Sequence, residues 1–318
     1  MAKKRIGAFE VPTDPIFKMI LQVMPHRYDA TNFSFIKLDC TKIDKFIAEQ
    51  RQETGITYTY MDVVLSAIVR CLARFPHLNR YVMNGRLYEN YKITSCFTIK
   101  TKLDYDSLEE QVRKVFNGNE TIAQIKKSID DEIALLRNPA NDSDATQMAN
   151  LLSGLPMFAM RAGVKFLKRS DKKNRFLKLI KEVSPFHSSF WLANLKSLKM
   201  DAVAHHCYDF GTISLFFTIG KEQWEAVVDE NGEITKRLML PMGLSIDERI
   251  CDGYAISKAL KGLKFHIENP EVLLEEFHSE KVDAEIEKDK EEARILAEKE
   301  AKRQAKLEKK NGRKNKQK

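Results

Sequence analysis

The alternation of apolar and polar positions along the first half of the chain predicts strands and helices in mixed order. Residues 33–39 alternate in character, as a half-buried strand does, and Asp39 and Thr41 are suited to cap the helix that follows. Beyond Tyr60 the apolar residues recur at helical spacing. The predicted elements are a strand at 33–39, helices at about 41–52 and 60–75, strands at 86–91 and 93–101 joined as a meander, and helices at 107–116 and 121–137.

The segment 151–185 is different in character. The sequence from Arg161 to Lys181 contains nine basic residues and one acidic residue, and aromatic and aliphatic residues are interleaved with them. Such basic amphipathic helices are typical of membrane-surface contact, and equally of a helical hairpin packed on a domain with its basic face in solvent. The remaining predicted elements are strands at 188–192, 212–219, 225–228 and 237–246, a hairpin turn at 229–232, a helix at 254–267, and a single charged helix from 281.

Composition adds little about what the folded part binds. Hydrophobic residues make up 43% of the chain, which is sufficient for a substantial core and excludes wholesale disorder. The formal net charge is +8, but nine Lys and Arg against one Glu lie in residues 301–318. The other 300 residues are therefore neutral overall, and only the tail suggests a weak contact with nucleic acid or an anionic surface.

Cysteine usage and hydropathy point to a reducing compartment. Five scattered cysteines form no CxxC pair, which favours buried free thiols. The basic N-terminus is not followed by an apolar stretch, so no secretory signal is visible. No run of 18 apolar residues occurs, so no transmembrane helix is expected. We therefore expect a cytoplasmic protein.

Several motifs resemble one acyltransferase family. The stretch from Arg237 to Gly253 ends in Asp247-Glu-Arg-Ile-Cys-Asp-Gly253, which is similar to the D-H-R-x-x-D-G turn of dihydrolipoamide acyltransferases and to the H-x-x-x-D-G of chloramphenicol acetyltransferases. Residues 194–202 resemble the family's N-L-G-S-L-G-x-D-A. Residues 72–79 carry its P-x-L-N, and Met24-Pro-His26 falls at its first strand. We call residues 247–253 the signature turn.

The resemblance implies an α/β fold, a two-layer sandwich of a mixed β-sheet and helices, assembled as a homotrimer. It implies a site between subunits that takes coenzyme A or acyl-coenzyme A as substrate and a small-molecule acyl acceptor. The expected domains are an acyltransferase-like domain at 1–272 with a helical insertion at about 145–185, and a charged helix with a basic tail at 273–318. A free-standing member without a lipoyl domain is expected. The residues that bind the coenzyme are not identified by these motifs.

Two groups that the family uses for chemistry are replaced. Glu248 stands where the family has its basic histidine, and Ala193 stands where it has a Ser or Thr that donates to the oxyanion. Proton transfer from a thiol to an ordinary carboxylate is uphill by about 4 pKa units, or roughly 5–6 kcal/mol, against about 3 kcal/mol for a histidine. Loss of one oxyanion donor typically costs about 10²–10³ in rate. The family's standard reaction is therefore not expected.

The loop at 204–212 offers replacements. His205 and His206, together with Cys207, Tyr208 and Asp209, supply bases and donors where the family has an apolar loop. Our hypothesis is that one of the two imidazoles pairs with Glu248 and acts as the base. The alternative is a polar loop with one buried, hydrogen-bonded histidine. No metal is expected, since adjacent residues rarely converge on one ion.

Several residues of the signature turn, and Asn194 outside it, have structural interpretations. Glu248 has an alternative role in which it pairs with Arg249 or with a cation of the adjoining subunit. By resemblance Asp252 orders the turn through a salt bridge, Gly253 fits a tight turn into the helix, and Asn194 is structural at the site. The sequence therefore predicts an acyltransferase of altered mechanism with Glu248, His205 and His206 as candidate catalytic residues. The alternative is a non-catalytic trimeric binding or scaffold protein.

Overall fold

The computed structural model describes most of the region predicted to fold. The described residues are 4–100, 109–136, 146, 154–175, 178–229, 231–284, 286–291, 294–295, 297–299 and 302. The predicted loop at 138–144 and the basic tail beyond 302 lie outside them. Contacts along the chain define one compact unit, Met1–Phe277, and a second, His278–Lys318.

A mixed seven-stranded sheet forms the centre of the first unit. Its strands are β3 (Thr31–Asp39), β6 (Ile93–Lys100), β7 (Glu109–Phe116), β8 (Phe190–Asn194), β9 (Leu215–Ile219), β10 (Gln223–Val228) and β11 (Ile234–Asp247). The order is β10-β11-β9-β8-β6-β7, with β3 also paired to β11. Strand β8 lies parallel to both β6 and β9, and the other pairs are antiparallel. The predicted mixed sheet is confirmed.

A second, smaller sheet was not predicted. It contains β1 (Lys4–Arg5), β2 (Ala8–Glu10), β4 (Arg80–Met83) and β5 (Arg86–Asn90), in the order β1-β2-β5-β4. The predicted strands at 86–91 and 93–101 exist, but the meander between them is wrong. Strand β5 pairs with its neighbours β2 and β4, whereas β6 enters the large sheet.

The helices of the first unit that have described bounds are α1 (Pro15–Val23), α2 (Cys40–Thr54), α3 (Tyr60–Arg74), α4 (Ile122–Leu136), α5 (Met157–Lys172), α6 (Lys178–Val183) and α7 (Gly253–Glu268). Asp39 caps α2 as predicted, by accepting the Thr41 amide hydrogen bond. Thr59 and Asp62 form a capping box that starts α3. Helix α3 is the central helix, since twelve of its residues are buried, and it packs on α7 and α4.

The helix predicted at 107–116 is wrong, because the described part of this segment is strand β7. It pairs residue by residue with β6, from Ile93 opposite Phe116 to Lys100 opposite Glu109. Glu110, Val112 and Phe116 are buried, which is the period of two that a strand shows. The segment is rich in good helix formers, but pairing with a neighbouring strand overrides local propensity.

The insertion contains α5 and α6, and α5 is mostly exposed. Its single buried residue is Asp171, and Phe158 and Phe166 are 77% and 69% exposed. Asp171 pairs with Arg5 of β1 and with His187, whose other ring nitrogen lies 2.8 Å from the Ser184 hydroxyl. Buried ionic contacts therefore anchor the C-terminal end of α5, while its basic side chains face solvent.

The five cysteines are buried and unpaired, as predicted. Burial raises the pKa of the Cys207 and Cys251 thiols to about 12, so neither is a thiolate near neutral pH. Within the described residues no helix has the length and hydrophobicity needed to cross a membrane. In the second unit the described residues between 280 and 302 are helical, which agrees with the predicted charged helix.

Candidate functional site

The signature turn is built where β11 ends and α7 begins. Asp247 closes the strand, residues 248–250 form one turn of 3₁₀-helix, and Asp252 caps α7 by accepting a hydrogen bond from the Ala255 amide at 2.8 Å. An aspartate at this position satisfies one of the free N–H groups of the first helical turn. The local sequence thus dictates a sharp and rigid change of direction.

A buried ionic cluster holds the turn. Asp247 accepts two hydrogen bonds at 2.8 Å from the guanidinium of Arg249 and lies 3.4 Å from Nε of Arg27. These three side chains are between 0% and 4% exposed. Arg249 also donates to the Met24 carbonyl at 2.7 Å, so the turn is tied to the segment between α1 and β3. Each partner is necessary, because an unpaired buried charge costs several kcal/mol.

This cluster corrects the structural roles implied by the resemblance. Among the described residues the ion pairs of the turn are made by Asp247, whereas Asp252 acts as a helix cap. Gly253 does not have a positive φ, and a Cβ added to it would meet no atom within 4 Å, so a tight turn does not explain the glycine. Arg249 is a member of the ionic cluster.

Glu248 points away from this cluster. Its side chain is half-buried, and its Oε2 accepts a hydrogen bond of 2.6 Å from Nδ2 of Asn32 on β3. The alternative in which Glu248 pairs with Arg249 is wrong, because that guanidinium is committed to Asp247 and to Met24. The carboxylate at the family's base position is therefore held from the neighbouring strand.

Ala193 lies in apolar surroundings. It packs with Tyr208 against a cluster of Cys96, Trp191, Cys207, Ile213 and Phe216. Its partner on β9 is Thr218, but that hydroxyl donates to the Val203 carbonyl at 2.8 Å and accepts from the Val203 amide. The Thr218 hydroxyl already donates its proton within the chain. It therefore does not replace the oxyanion donor that is missing at position 193.

Asn194 ends β8 at the same edge. Its side-chain oxygen is buried and has no hydrogen-bond partner among the described residues, although its backbone carbonyl accepts from the Ser197 hydroxyl at 2.7 Å. A buried unpaired acceptor costs about 1–3 kcal/mol. This oxygen therefore marks a position where a donor from outside the chain would be stabilising.

His205 and His206 contact each other rather than Glu248 within one chain. Nδ1 of His205 lies 2.8 Å from the His206 carbonyl, and its ring stacks on Phe216 with centroids 3.9 Å apart. Burial lowers the pKa of His205, and the hydrogen bond to the His206 carbonyl partly offsets this effect. The pairing of either imidazole with Glu248 across a subunit boundary stays a prediction.

The structure forms a different histidine–carboxylate pair at this site. Nδ1 of His26 lies 3.1 Å from Oδ2 of Asp209, and the amide of Arg27 donates to the other carboxylate oxygen at 3.3 Å. The His26 ring is 42% exposed and stacks on Tyr28, with centroids 4.9 Å apart. Both residues carried a sequence signal, as part of the Met24-Pro-His26 motif and of the 204–212 loop, but 183 residues separate them.

The pair is attached to the signature turn through Arg27. The guanidinium of Arg27 reaches Asp247 and the carbonyls of Tyr208 and Gly211, so the loop that carries Asp209 is fixed to the ionic cluster. Within the described residues no group of three or more His, Cys, Asp or Glu side chains is arranged to hold a metal ion. The site thus offers a carboxylate, an oriented imidazole and backbone groups.

Comparison with known proteins agrees with this architecture. Residues 215–275 match the sequence model of a family described as 2-oxoacid dehydrogenases acyltransferase (catalytic domain), a match that includes the signature turn and α7. The fold is similar to that of a probable dihydrolipoamide acetyltransferase from Listeria monocytogenes 4b F2365. The TM-score is 0.52 at 16% identity, over 81% of this chain and 94% of that one. The region from β9 to the end of α7 is therefore similar to this family's catalytic domain, and the fold of the chain is similar to that of an acyltransferase.

Other solved structures align over similar lengths. A chloramphenicol acetyltransferase aligns with a TM-score of 0.49 and 12% identity, over 84% of this chain and 100% of that one. The cubic core of a pyruvate dehydrogenase multienzyme complex aligns with a TM-score of 0.48 and 15% identity, over 83% and 93%. A search of curated proteins gives no match. The fold class predicted from the motifs is confirmed, and residues 215–275 match the family that the motifs indicated.

Proposed function

We propose that this acyltransferase-family chain binds a coenzyme A thioester and transfers the acyl group to a small acceptor by an altered mechanism. The observation that carries the proposal is the intact signature turn, in which buried Asp247 holds Arg27 and Arg249 while Glu248 projects outside the cluster. A non-catalytic remnant would have no need to keep an oriented imidazole beside this turn.

The proposal assigns proton transfer to His26. Hydrogen bonding of Nδ1 to Asp209 leaves Nε2 without a partner among the described residues. Such a ring is set to accept a proton at Nε2, with the carboxylate holding its orientation. Glu248 takes the family's base position and contributes a hydrogen-bond acceptor rather than the base. In the proposed homotrimer, His205 and His206 are further candidates from a neighbouring chain.

The proposed step forms a bond from the acceptor to the acyl carbon and breaks the carbon–sulfur bond of the thioester. The acceptor oxygen or sulfur forms a bond to the thioester carbonyl carbon as its proton passes to Nε2 of His26. The tetrahedral intermediate then collapses, the carbon–sulfur bond breaks, and the coenzyme A thiolate leaves and takes up the proton. The products are the acylated acceptor and free coenzyme A.

The test is turnover of acetyl-coenzyme A by the purified chain with thiol, hydroxyl and amine acceptors, followed as release of free thiol. A positioned general base contributes about 10²–10⁴ in rate, so His26→Asn should lower turnover by at least about 100-fold. His278→Asn is the matched control, because His278 also pairs with an aspartate, Asp283 at 3.2 Å, on an exposed surface. Equal loss in both variants would overturn the role of His26, and absence of turnover with every acceptor would overturn the activity.

A second candidate function is binding of a coenzyme A thioester without transfer, in a trimeric binding or scaffold protein. It is favoured by Ala193, which places a methyl group in an apolar cluster where the family's oxyanion donor stands. Calorimetry with acetyl-coenzyme A separates the two candidates. Binding without thiol release supports the second, and release supports the first.

A further inference from the structure

A cavity of about 230 Å³ lies beside the signature turn, on the side that includes Arg249 but not Glu248 or His26. Its walls come from α1, the β4–β5 turn, the C-terminal half of α5 and residues 209–211. Helix α5 belongs to the insertion at about 145–185. The cavity is therefore built partly by a segment that lies outside the motifs shared with the family.

Two buried guanidiniums lie in the wall of the cavity. Arg27 and Arg249 both line it, both are at least 96% buried at their side chains, and both depend on the single carboxylate of Asp247. Asp209 also lines the cavity, accepts a hydrogen bond from the Arg27 amide at 3.3 Å and is ionised near neutral pH, so its carboxylate supplies the second negative charge. The two guanidiniums are therefore balanced by two carboxylates.

The outer wall adds two ammonium groups. Lys168 and Lys172 of α5 line the cavity, one helical turn apart on the same face, and neither has a carboxylate partner among the described residues. The two acids of the lining are already engaged. Asp171 is paired with Arg5 and His187, and Asp209 accepts hydrogen bonds from His26 and from the Arg27 amide.

The lining also includes apolar side chains, among them Leu21, Val82 and Phe210, beside the polar Gln22 and Asn84. A ligand with both an anionic group and a short carbon skeleton would therefore be complementary to it. A cavity needs only about 10–15 Å³ of such volume to hold one water molecule, so about 230 Å³ leaves room for a phosphate group.

We infer that this cavity binds the phosphate group of a phosphomonoester, with Lys168 and Lys172 as its ligands and as the source of the net positive charge of the lining. A phosphomonoester carries nearly two negative charges at pH 7 and several strong acceptor oxygens. The phosphate comes either from a separate phosphorylated metabolite or from the phosphate end of coenzyme A. The inference stands whether or not the chain transfers acyl groups.

Calorimetric titration of the full chain with inorganic phosphate and with propyl phosphate tests the inference. Both should bind, and the Lys168→Gln/Lys172→Gln double variant should weaken binding at least tenfold. The matched control is Arg161→Gln/Lys165→Gln, which removes two positive charges with the same spacing from the same helix but not from the cavity lining. All four side chains are exposed, so both variants should fold, which thermal unfolding verifies.

The outcomes distinguish phosphate binding in the cavity from nonspecific electrostatic attraction to the helix. They also do not depend on the proposed function. Absence of phosphate binding by the parent chain, or equal weakening in the two double variants, would overturn the inference. A repeat with coenzyme A and 3′-dephospho-coenzyme A as competitors identifies the source. If coenzyme A displaces propyl phosphate and 3′-dephospho-coenzyme A does not, the cavity binds the 3′-phosphate of the coenzyme. If neither compound displaces propyl phosphate, the cavity binds a separate metabolite. Phosphate binding is measured without turnover, so inactivity of the chain does not affect the result.

Discussion

Nδ1 of His26 and Oδ2 of Asp209 lie 3.1 Å apart, although 183 residues separate them in sequence. Burial alone would raise the pKa of Asp209, but hydrogen bonds from His26 and from the Arg27 amide, together with the nearby positive charge, lower it overall. Asp209 is therefore ionised near neutral pH. An ionised carboxylate at Nδ1 fixes the tautomer in which Nε2 is free to accept a proton.

Asp209→Asn should preserve the fold and lower acyl-transfer turnover by about 10²–10⁴, because an amide no longer selects the productive tautomer. The measurement is turnover of acetyl-coenzyme A, with the unfolding midpoint as a check. Asp283→Asn, which changes the equivalent exposed pair with His278, is the control and should leave turnover unchanged. Unchanged turnover in Asp209→Asn would show that the pair is only structural.

Asp247→Asn should destabilise the first unit by about 3–5 kcal/mol, because Arg27 and Arg249 would be left buried without a counter-charge. Urea unfolding measures the difference. Glu49→Gln is the control, since its pairing with Lys45 is exposed on α2 and is worth less than about 0.5 kcal/mol. Similar losses in the two variants would mean that the ionic cluster does not hold the turn.

Ala193→Ser should raise turnover about tenfold or more, because it returns a hydroxyl donor to the position where the family stabilises the oxyanion. The same hydroxyl lies against an apolar cluster, so a stability loss of about 1–3 kcal/mol is expected if it finds no partner. Ala193→Cys is the control, since a thiol of similar size is a weak donor. Equal turnover in the serine and cysteine variants would exclude an oxyanion role for this position.

The signature turn could be predicted from the sequence because its information is local. A strand pattern, an aspartate at the cap position and an apolar helix follow one another directly, and the structure places β11, Asp252 and α7 there. Strand β7 could not be predicted in this way. The residues of 109–116 are good helix formers, and only the pairing with β6 makes them a strand.

The long-range contacts that assemble the site also could not be predicted from local sequence patterns. The loop at 204–212 indicated a relocated imidazole, but the oriented ring is His26, which lies in a segment noted only for its resemblance to the family. The contact of Asn32 with Glu248 joins residues 216 positions apart. Long-range pairs of this kind follow from strand pairing, in this case of β3 with β11, which the hydrophobic pattern does not specify.

His266 on α7 should make the protein less stable in mild acid. The ring is buried, and neither nitrogen has a hydrogen-bond partner among the described residues. Burial, together with the charges of Arg70 and Arg74, lowers its pKa to about 4. The unfolded chain binds a proton near pH 6.5, whereas the folded chain does so only near pH 4, so stability falls as the pH is lowered between these values.

His266→Phe removes the titrating group while nearly preserving its volume, so the loss of stability between pH 7 and pH 5 should be smaller than in the parent chain. Urea unfolding at the two pH values measures this difference. His278→Asn, which removes an exposed imidazole, serves as the control. A parent-like loss in His266→Phe would mean that the acid sensitivity arises elsewhere, for example from His187, whose pKa burial also lowers. Asp39 and Asp171 are not its source, because their lowered pKa values place their contribution at more acidic pH.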